Sequence, residues 1–362
     1  MSPTTISEPA PPVGQAELAA LDPEQREAAV RRSPGYLGWA AGLRVLVMLG
    51  RPRTCVPGLL GFAWGWALGG GAATWQFFLG LLMSVVYGLL ANVYNAYTDL
   101  AEDSRNLPSR VWLVLLVGPR RMLAAGHAMV LALLALAPLY GVAYLVPMAL
   151  ALAGALQYSF RPLRLKARPW LGPVGMSLAV FGPYLLGYFG TGVRMPSGAA
   201  WAVPAFLILW FVPKGMIKNL PDVEGDRAAG LRTSATVFAT REAAARVAMA
   251  ATLTGYLSLA LFVAGGALPP RTLFALPLVV AAFRQCRAMV GAPDAATANA
   301  VLKRDMLLST GYLVAVLLLD AFDVASVCAV ALGALLLFGS DLLALDSRQM
   351  TAPAAPAAPT DS

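Results

Sequence analysis

The sequence predicts an all-α, polytopic membrane helical bundle of about nine or ten transmembrane helices, and three observations carry that reading. Of 362 residues, 58% are hydrophobic and only 13% are charged, against about 25% charged in soluble globular chains. The apolar residues gather into runs of about 16–24, the length a helix needs to cross a hydrocarbon core of roughly 30 Å. The cations collect in alternate inter-helical segments, the positive-inside pattern of membrane topology. A chain this apolar would have no polar coat in water.

Along the chain, residues 1–33 are rich in Pro, Ala, Glu and Ser and contain no long apolar run. They are expected to be a disordered cytoplasmic segment with a short helix around Pro23 to Arg32, and they lack the charged-then-apolar layout of a signal peptide. The membrane domain is expected over 34–346, followed by a disordered tail over 347–362. Within the domain, 37–50 is short for a span and is expected along the interface. Spans are expected near 56–72, 76–98, 124–143, 146–160, 170–190, 200–219, 242–266 and 271–290. The stretch 305–343 is too long for one span at about 1.5 Å per residue. Asp320 and Asp323 interrupt it, which predicts a hairpin of two helices.

A net charge of +8 raises nucleic acid as a partner, but its distribution excludes that class. The cations are Arg51 and Arg53; Arg105, Arg110, Arg120 and Arg121; Arg161, Arg164, Lys166 and Arg168; Lys218, Arg227 and Arg232; then Arg284, Arg287, Lys303 and Arg304. The alternate segments carry almost none, Arg194 and Arg271 excepted. This asymmetry places the N-terminus and the basic loops in the cytoplasm. Cys55, Cys286 and Cys328 are widely spaced and form neither a metal-ligand pattern nor a disulfide framework. With His127 the one histidine, histidine-based metal sites and catalytic triads are excluded.

Charged residues at the ends of apolar helices are costly and therefore informative. Asn95-Ala-Tyr-Thr-Asp99-Leu-Ala-Glu-Asp103 closes the second span, and Lys218-Asn219-Leu-Pro-Asp222-Val-Glu-Gly-Asp226 closes the sixth. Both place polar groups at i, i+4 and i+8, a spacing that keeps neighbours on one helix face. Pro221 and Gly225 weaken that expectation for the second motif. Ionised carboxylates four apart repel, so two such sets call for a countercharge. Magnesium suits them, because it takes oxygen ligands and bridges one or two carboxylates to substrate phosphates. Lys214 and Lys218 at the end of the sixth span, and Tyr158 to Lys166 after the fourth, supply the cations a diphosphate needs.

These residues resemble the UbiA superfamily of intramembrane prenyltransferases over roughly residues 45–320. The family's first motif, Asn-x-x-x-Asp-x-x-x-Asp, is matched by Asn95, Asp99 and Asp103, and its following Asn-x-Pro-x-Arg by Asn106 to Arg110. Its second motif is matched by Asp222, Asp226, Arg227 and Gly230, and its loop Tyr and Lys by Tyr158 and Lys166. One family carboxylate has no counterpart: Ala96 follows the motif Asn.

The resemblance implies a helical bundle around a central cavity that opens to the lipid, two bound magnesium ions and a prenyl diphosphate substrate. It implies Asn95, Asp99, Asp103, Asp222 and Asp226 as metal ligands, the four aspartates being catalytic. Asn95, Arg110, Tyr158, Lys166, Lys218 and Asn219 are the expected substrate-binding residues. The carbocation formed on ionisation needs a dry cavity, with aromatic faces to stabilise it. Trp170, Phe181, Tyr184, Tyr188, Phe189, Trp210 and Phe211 are the candidates. Transfer to an aromatic acceptor is the commoner activity in the family. A terpene cyclase working without an acceptor, and a transporter of an anionic substrate using the acids for cation coupling, are the alternatives.

Overall fold

A computed structural model describes residues 14–193 and 198–347. Among these the chain is helical and contains no strand. The helices are α1 (Gln15–Ala20), α2 (Pro23–Arg31), α3 (Trp39–Gly50), α4 (Val56–Leu68), α5 (Trp75–Thr98), α6 (Leu100–Asn106), α7 (Pro108–Val117) and α8 (Pro119–Leu136). They continue with α9 (Leu145–Ser159), α10 (Leu171–Gly190), α11 (Gly198–Lys218), α12 (Val223–Ala228), α13 (Arg241–Ala264), α14 (Leu278–Val290), α15 (Ala295–Asp320) and α16 (Val324–Leu342).

Among the described residues, eight helical segments are long and apolar enough to cross a membrane, including α5, α10, α11, α13 and α16. Two more helices complete the expected bundle. α4 has only 13 residues but is buried on nearly all sides, as its position against α5, α10 and α16 requires. α15 runs for 26 residues and carries Lys303, Arg304 and Asp305 in its first half. It begins ten residues before the expected boundary. The predicted break falls at Ala321–Asp323, where Asp323 caps α16 by accepting from Ser326 N at 2.7 Å. Asp320 accepts from Trp64 Nε1 at 2.6 Å, so both acids that signalled the hairpin are used by it.

α4 and α10 form the tightest helix pair, because glycines let their backbones meet. A Cβ at Gly65 would overlap the Tyr184 carbonyl oxygen, and one at Gly187 would overlap that of Phe62. Small residues at crossings are how membrane helices gain packing where lipid offers no hydrophobic drive. The outer surface is apolar instead, with Leu131, Leu150, Leu261 and Phe338 exposed. Satisfied helix backbones make such a surface suited to lipid.

The N-terminal segment departs from expectation. From Gly14 onwards it is folded, and α1 and α2 pack on α6 and α7. Arg26 is buried and donates to the carbonyls of Leu18 (2.9 Å), Ala19 (2.6 Å), Leu21 (2.7 Å) and, across the interface, Ser104. Asp22 caps α2 through Glu24 N and Gln25 N, and Leu18 and Val30 join the core formed with α7. One buried guanidinium satisfying several orphan helix-end carbonyls orders a segment that composition marks as polar. Residues 1–13 and 348–362 of the two segments expected to be disordered lie outside the described residues. α3 exposes Trp39 and Leu43 on one side and packs on α5 and α7 with the other.

Candidate active site

Both acidic motifs face one cavity at a single end of the bundle. It is lined by Asn95, Asp99, Glu102, Asp103, Asn106, Tyr158, Arg164, Lys166, Lys218, Asn219, Asp222, Asp226 and Thr233. The first motif is nearly one helix: α5 ends at Thr98, Asp99 occupies the junction, and α6 follows. The hydrogen bonds Asp99 N to Asn95 O (2.9 Å) and Asp103 N to Asp99 O (2.7 Å) carry the i+4 register through the junction. The second motif is broken as Pro221 suggested. α11 stops at Lys218 and Asp222 precedes the short α12. Gly225 is required there, because a Cβ would overlap Asn106 Oδ1. Asn106 Nδ2 donates to Asp226 Oδ1 at 3.3 Å and so joins the two motifs.

Lys166 reaches the first motif. Its Nζ donates to Asp99 Oδ1 and Thr98 Oγ1, and to Asn95 Oδ1 at 3.3 Å. Arg164 pairs with Glu102 at 2.5 Å, and Asn219 Nδ2 donates to Ser234 Oγ at 3.0 Å. Burial opposes ionisation of Asp99, but the Lys166 and Arg110 cations hold its carboxyl below the usual range. Asp226 lacks so close a cation. Burial and the charges of Asp222, Asp99 and Glu102 push its carboxyl up to about 7. Burial and Asp99 likewise raise Glu102, whose Oε2 is buried without a hydrogen-bond partner.

A divalent cation fits this excess of negative charge. The available ligands are carboxylate and amide oxygens, the donor set of a hard cation. Among the described residues, no three acids converge closely enough to hold an ion unaided.

Beside this polar cavity lies a larger apolar one of about 170 Å³. The two share Asn95, Tyr158 and Lys218. One face of α5 lines it through Ser84, Tyr87, Gly88, Ala91, Asn92 and Asn95, the spacing of a single helical stripe. Trp210 and Phe211 of α11 face it, as do Met176, Leu178 and Leu337. The other aromatic candidates do not line it: Tyr184 donates to the Ala200 carbonyl at 2.9 Å, and Trp170 is exposed. Tyr87 does line it and was not singled out by sequence.

Nine of the ten expected site residues line the polar cavity; Arg110 does not. It lies behind Asp103, buried, with Nη1 2.7 Å from Asp103 Oδ2. Arg110, expected to bind substrate, is thus in contact with the first motif from behind the cavity wall. Arg227 also turns away, donating to Phe238 O at 2.6 Å and Ala239 O at 3.0 Å. Ala96 packs in the core, where an extra carboxylate would be buried. Lys214, expected to serve the diphosphate, pairs with Asp305, while Glu102, Thr98 and Asp305 are site residues that sequence reasoning passed over. Glu102 sits inside the first motif and was legible as a third acid; Asp305 carries no local pattern.

Known proteins share this sequence and fold. The model of the UbiA prenyltransferase family matches residues 54–311. A digeranylgeranylglyceryl phosphate synthase from Methanopyrus kandleri is 30% identical over 276 residues, covering 74% of this chain and 96% of that protein. A lycopene elongase/hydratase from Corynebacterium glutamicum is 26% identical over 207 residues, covering 56% of this chain and 71% of that protein. Among solved structures, a UbiA homolog from Archaeoglobus fulgidus bound to GPP and Mg2+ superposes with a TM-score of 0.57 at 20% identity, covering 79% of this chain and 99% of that one. An apo UbiA homolog from Aeropyrum pernix gives 0.54 at 19% identity, covering 77% and 98%. These two show a common fold; the family match and the Methanopyrus relative show descent. This chain, a multi-pass membrane prenyltransferase, belongs to the UbiA prenyltransferase family.

Proposed function

We propose that the chain ionises an isoprenoid diphosphate in a magnesium-dependent reaction and transfers the prenyl group to an acceptor inside the membrane. The observation that carries this reading is the junction of the two cavities. An acidic, lysine-bearing chamber for a metal-bound diphosphate adjoins an apolar chamber for the chain.

In this reading Asp99, Asp103, Asp222 and Asp226, with Asn95, hold magnesium, and Asn219 orients the second motif. Magnesium, when bound, supplies Lewis-acid and templating chemistry on the diphosphate. Lys166, Lys218 and the Tyr158 hydroxyl donate to the oxygens on which charge develops as the allylic C–O bond breaks. Arg110 acts through Asp103, by holding that carboxylate in place. Trp210, Phe211 and Tyr87 line the apolar chamber, where aromatic rings stabilise a cation and help exclude water. The active end and the N-terminus face the cytoplasm, as the cation distribution argues.

The names of the two relatives speak of a glyceryl phosphate and of lycopene. Neither molecule is aromatic, so acceptors without an aromatic ring belong in the test beside aromatic ones.

The test is diphosphate release by purified protein given geranyl, farnesyl or geranylgeranyl diphosphate, with magnesium or with EDTA. Release that needs magnesium and speeds up with an acceptor is expected. Release that ignores EDTA would remove the metal from the mechanism. A cyclic terpene formed from the diphosphate alone would replace transfer by cyclisation.

A further inference from the structure

Deep in the apolar chamber is a charged pair that the chemistry above does not use. Lys214 of α11 and Asp305 of α15 are 7% and 2% exposed, and Lys214 Nζ lies 3.1 and 3.2 Å from the two Asp305 oxygens. Both line the chamber, and Asp305 is the one carboxylate among its lining residues. Lys214 lies one helical turn, about 6 Å, from Lys218, which borders the polar cavity. The pair therefore stands beside the place where the reactive carbon of a diphosphate would lie.

Structure alone does not account for it. A buried ion pair is seldom worth more than an apolar pair of similar volume, and intramembrane ionisable groups are expensive. The backbones of α11 and α15 are not close-packed neighbours, so the pair meets through long side chains at the chamber wall. Trp210 and Tyr312, stacked at 6.0 Å, already join those helices. Beside the pair, Lys214 Nζ sits 5.0 Å from the Tyr256 ring centroid, Tyr256 OH is 3.3 Å from Ser309 Oγ, and Ser309 Oγ donates to the main-chain carbonyl of Asp305 at 2.7 Å.

We propose that Lys214 and Asp305 form the recognition site for a hydroxyl group on the second substrate. An ammonium has three donors and a carboxylate about four acceptor positions, and their mutual contacts use only part of each. A hydroxyl is the small group that completes both, accepting from Lys214 and donating to Asp305. An ether or a hydrocarbon completes at most one. The remaining walls are mostly apolar, among them Trp210, Phe211, Leu178 and Leu337, with Arg51, Arg53 and Asn92 as further polar residues, so the larger part of the molecule is apolar. The step balances without a further reagent. The allylic C–O bond breaks and diphosphate leaves with the electron pair. The hydroxyl oxygen forms the new C–O bond, and its proton passes to Asp305.

This inference rests on the prenyl-transfer reading, and the experiment separates the two. Full-length protein in detergent, with magnesium and the non-ionising geranylgeranyl thiolodiphosphate, is dialysed to equilibrium against matched probes. These are 1-O-hexadecylglycerol and its dimethyl ether, and 4-nonylphenol and 4-nonylanisole. The expected result is at least tenfold tighter binding of one hydroxyl probe than of its ether, and which pair shows it tells an alcohol from a phenol. Lys214→Met/Asp305→Leu should abolish that preference while binding the ether within threefold of wild type, which also shows that the chamber is intact. Asp305→Asn, nearly isosteric, should reduce the preference at least threefold. No preference in the wild type, or a preference that survives in these variants, overturns the proposal. Magnesium-dependent diphosphate release by the wild type is measured alongside, and its absence would instead remove the transfer reading.

Discussion

The pair Arg110 and Asp103 offers a direct test of how the first motif is held. Their side chains are 3% and 8% exposed and 2.7 Å apart. Arg110→Met leaves a buried carboxylate without its guanidinium, and breaking such a pair costs about 3–5 kcal/mol. Asp103 lies at the wall of a polar cavity and has other interactions, so the low end, about 3 kcal/mol, is expected. Asp103→Asn strands the guanidinium but keeps a hydrogen-bonding side chain, for about 2 kcal/mol. If the two residues act as a unit, the double variant should lose about 3 kcal/mol rather than 5, a coupling of about 2 kcal/mol. The assay is SDS-driven unfolding in mixed micelles followed by far-UV circular dichroism. Turnover should fall in all three variants and should not return in the double, because Asp103 is a proposed metal ligand. Additivity within about 0.5 kcal/mol would refute the support role of Arg110.

Three further outcomes are expected. Asp99→Asn and Asp222→Asn should each cut turnover at least 100-fold, about 2.7 kcal/mol of transition-state stabilisation, with an unchanged helical spectrum; normal magnesium-dependent turnover in both would sink the site assignment. Lys166→Ala should lower turnover at least tenfold and Arg168→Ala less than twofold. The former contacts Asp99, whereas the latter makes a hydrogen bond to the Leu163 carbonyl in an exposed loop. Arg26→Met should destabilise the N-terminal helices by about 2 kcal/mol or more, since several buried carbonyls lose a charged donor; limited proteolysis before Ser33 reads this, and unchanged protection would count against it.

Most of the fold was legible because its signal is long and redundant. A span needs some twenty apolar residues, and an error of a few leaves it recognisable. The hairpin after α15 was readable because Asp320 and Asp323 cannot sit in a span without a role, and both turned out to terminate helices. α2 was readable as a short helix around Pro23 to Arg32, but α1 and the docking of both helices on α6 and α7 were not. Their order depends on Arg26 finding carbonyls at Leu18 and at Ser104, and the second is 78 residues away. Composition records that Arg26 is charged but not that its charge is buried. The same asymmetry governs the site: motifs with i+4 spacing announce themselves, whereas Lys214 and Asp305 meet only through the tertiary fold.

One helix links the two halves of the proposed chemistry. Ionising an allylic diphosphate needs dense charge and exchangeable water around a metal. The cation it produces needs neither, and reacts with water where water is admitted. The bundle separates these needs by depth. Along α5 one stripe runs from Ser84, Tyr87 and Ala91 in the apolar chamber to Asn95 at the shared wall, and Asp99 follows in the polar one. At about 1.5 Å per residue that stripe spans some 20 Å, comparable to an extended prenyl chain with its head group. In the proposed reading, head and tail lie along consecutive turns of one helix, with the reactive carbon near Asn95, Tyr158 and Lys218, the residues the two cavities share. The second motif lies on no single helix: α11 ends at Lys218 and α12 begins at Val223. It is joined to the first through the hydrogen bond from Asn106 to Asp226.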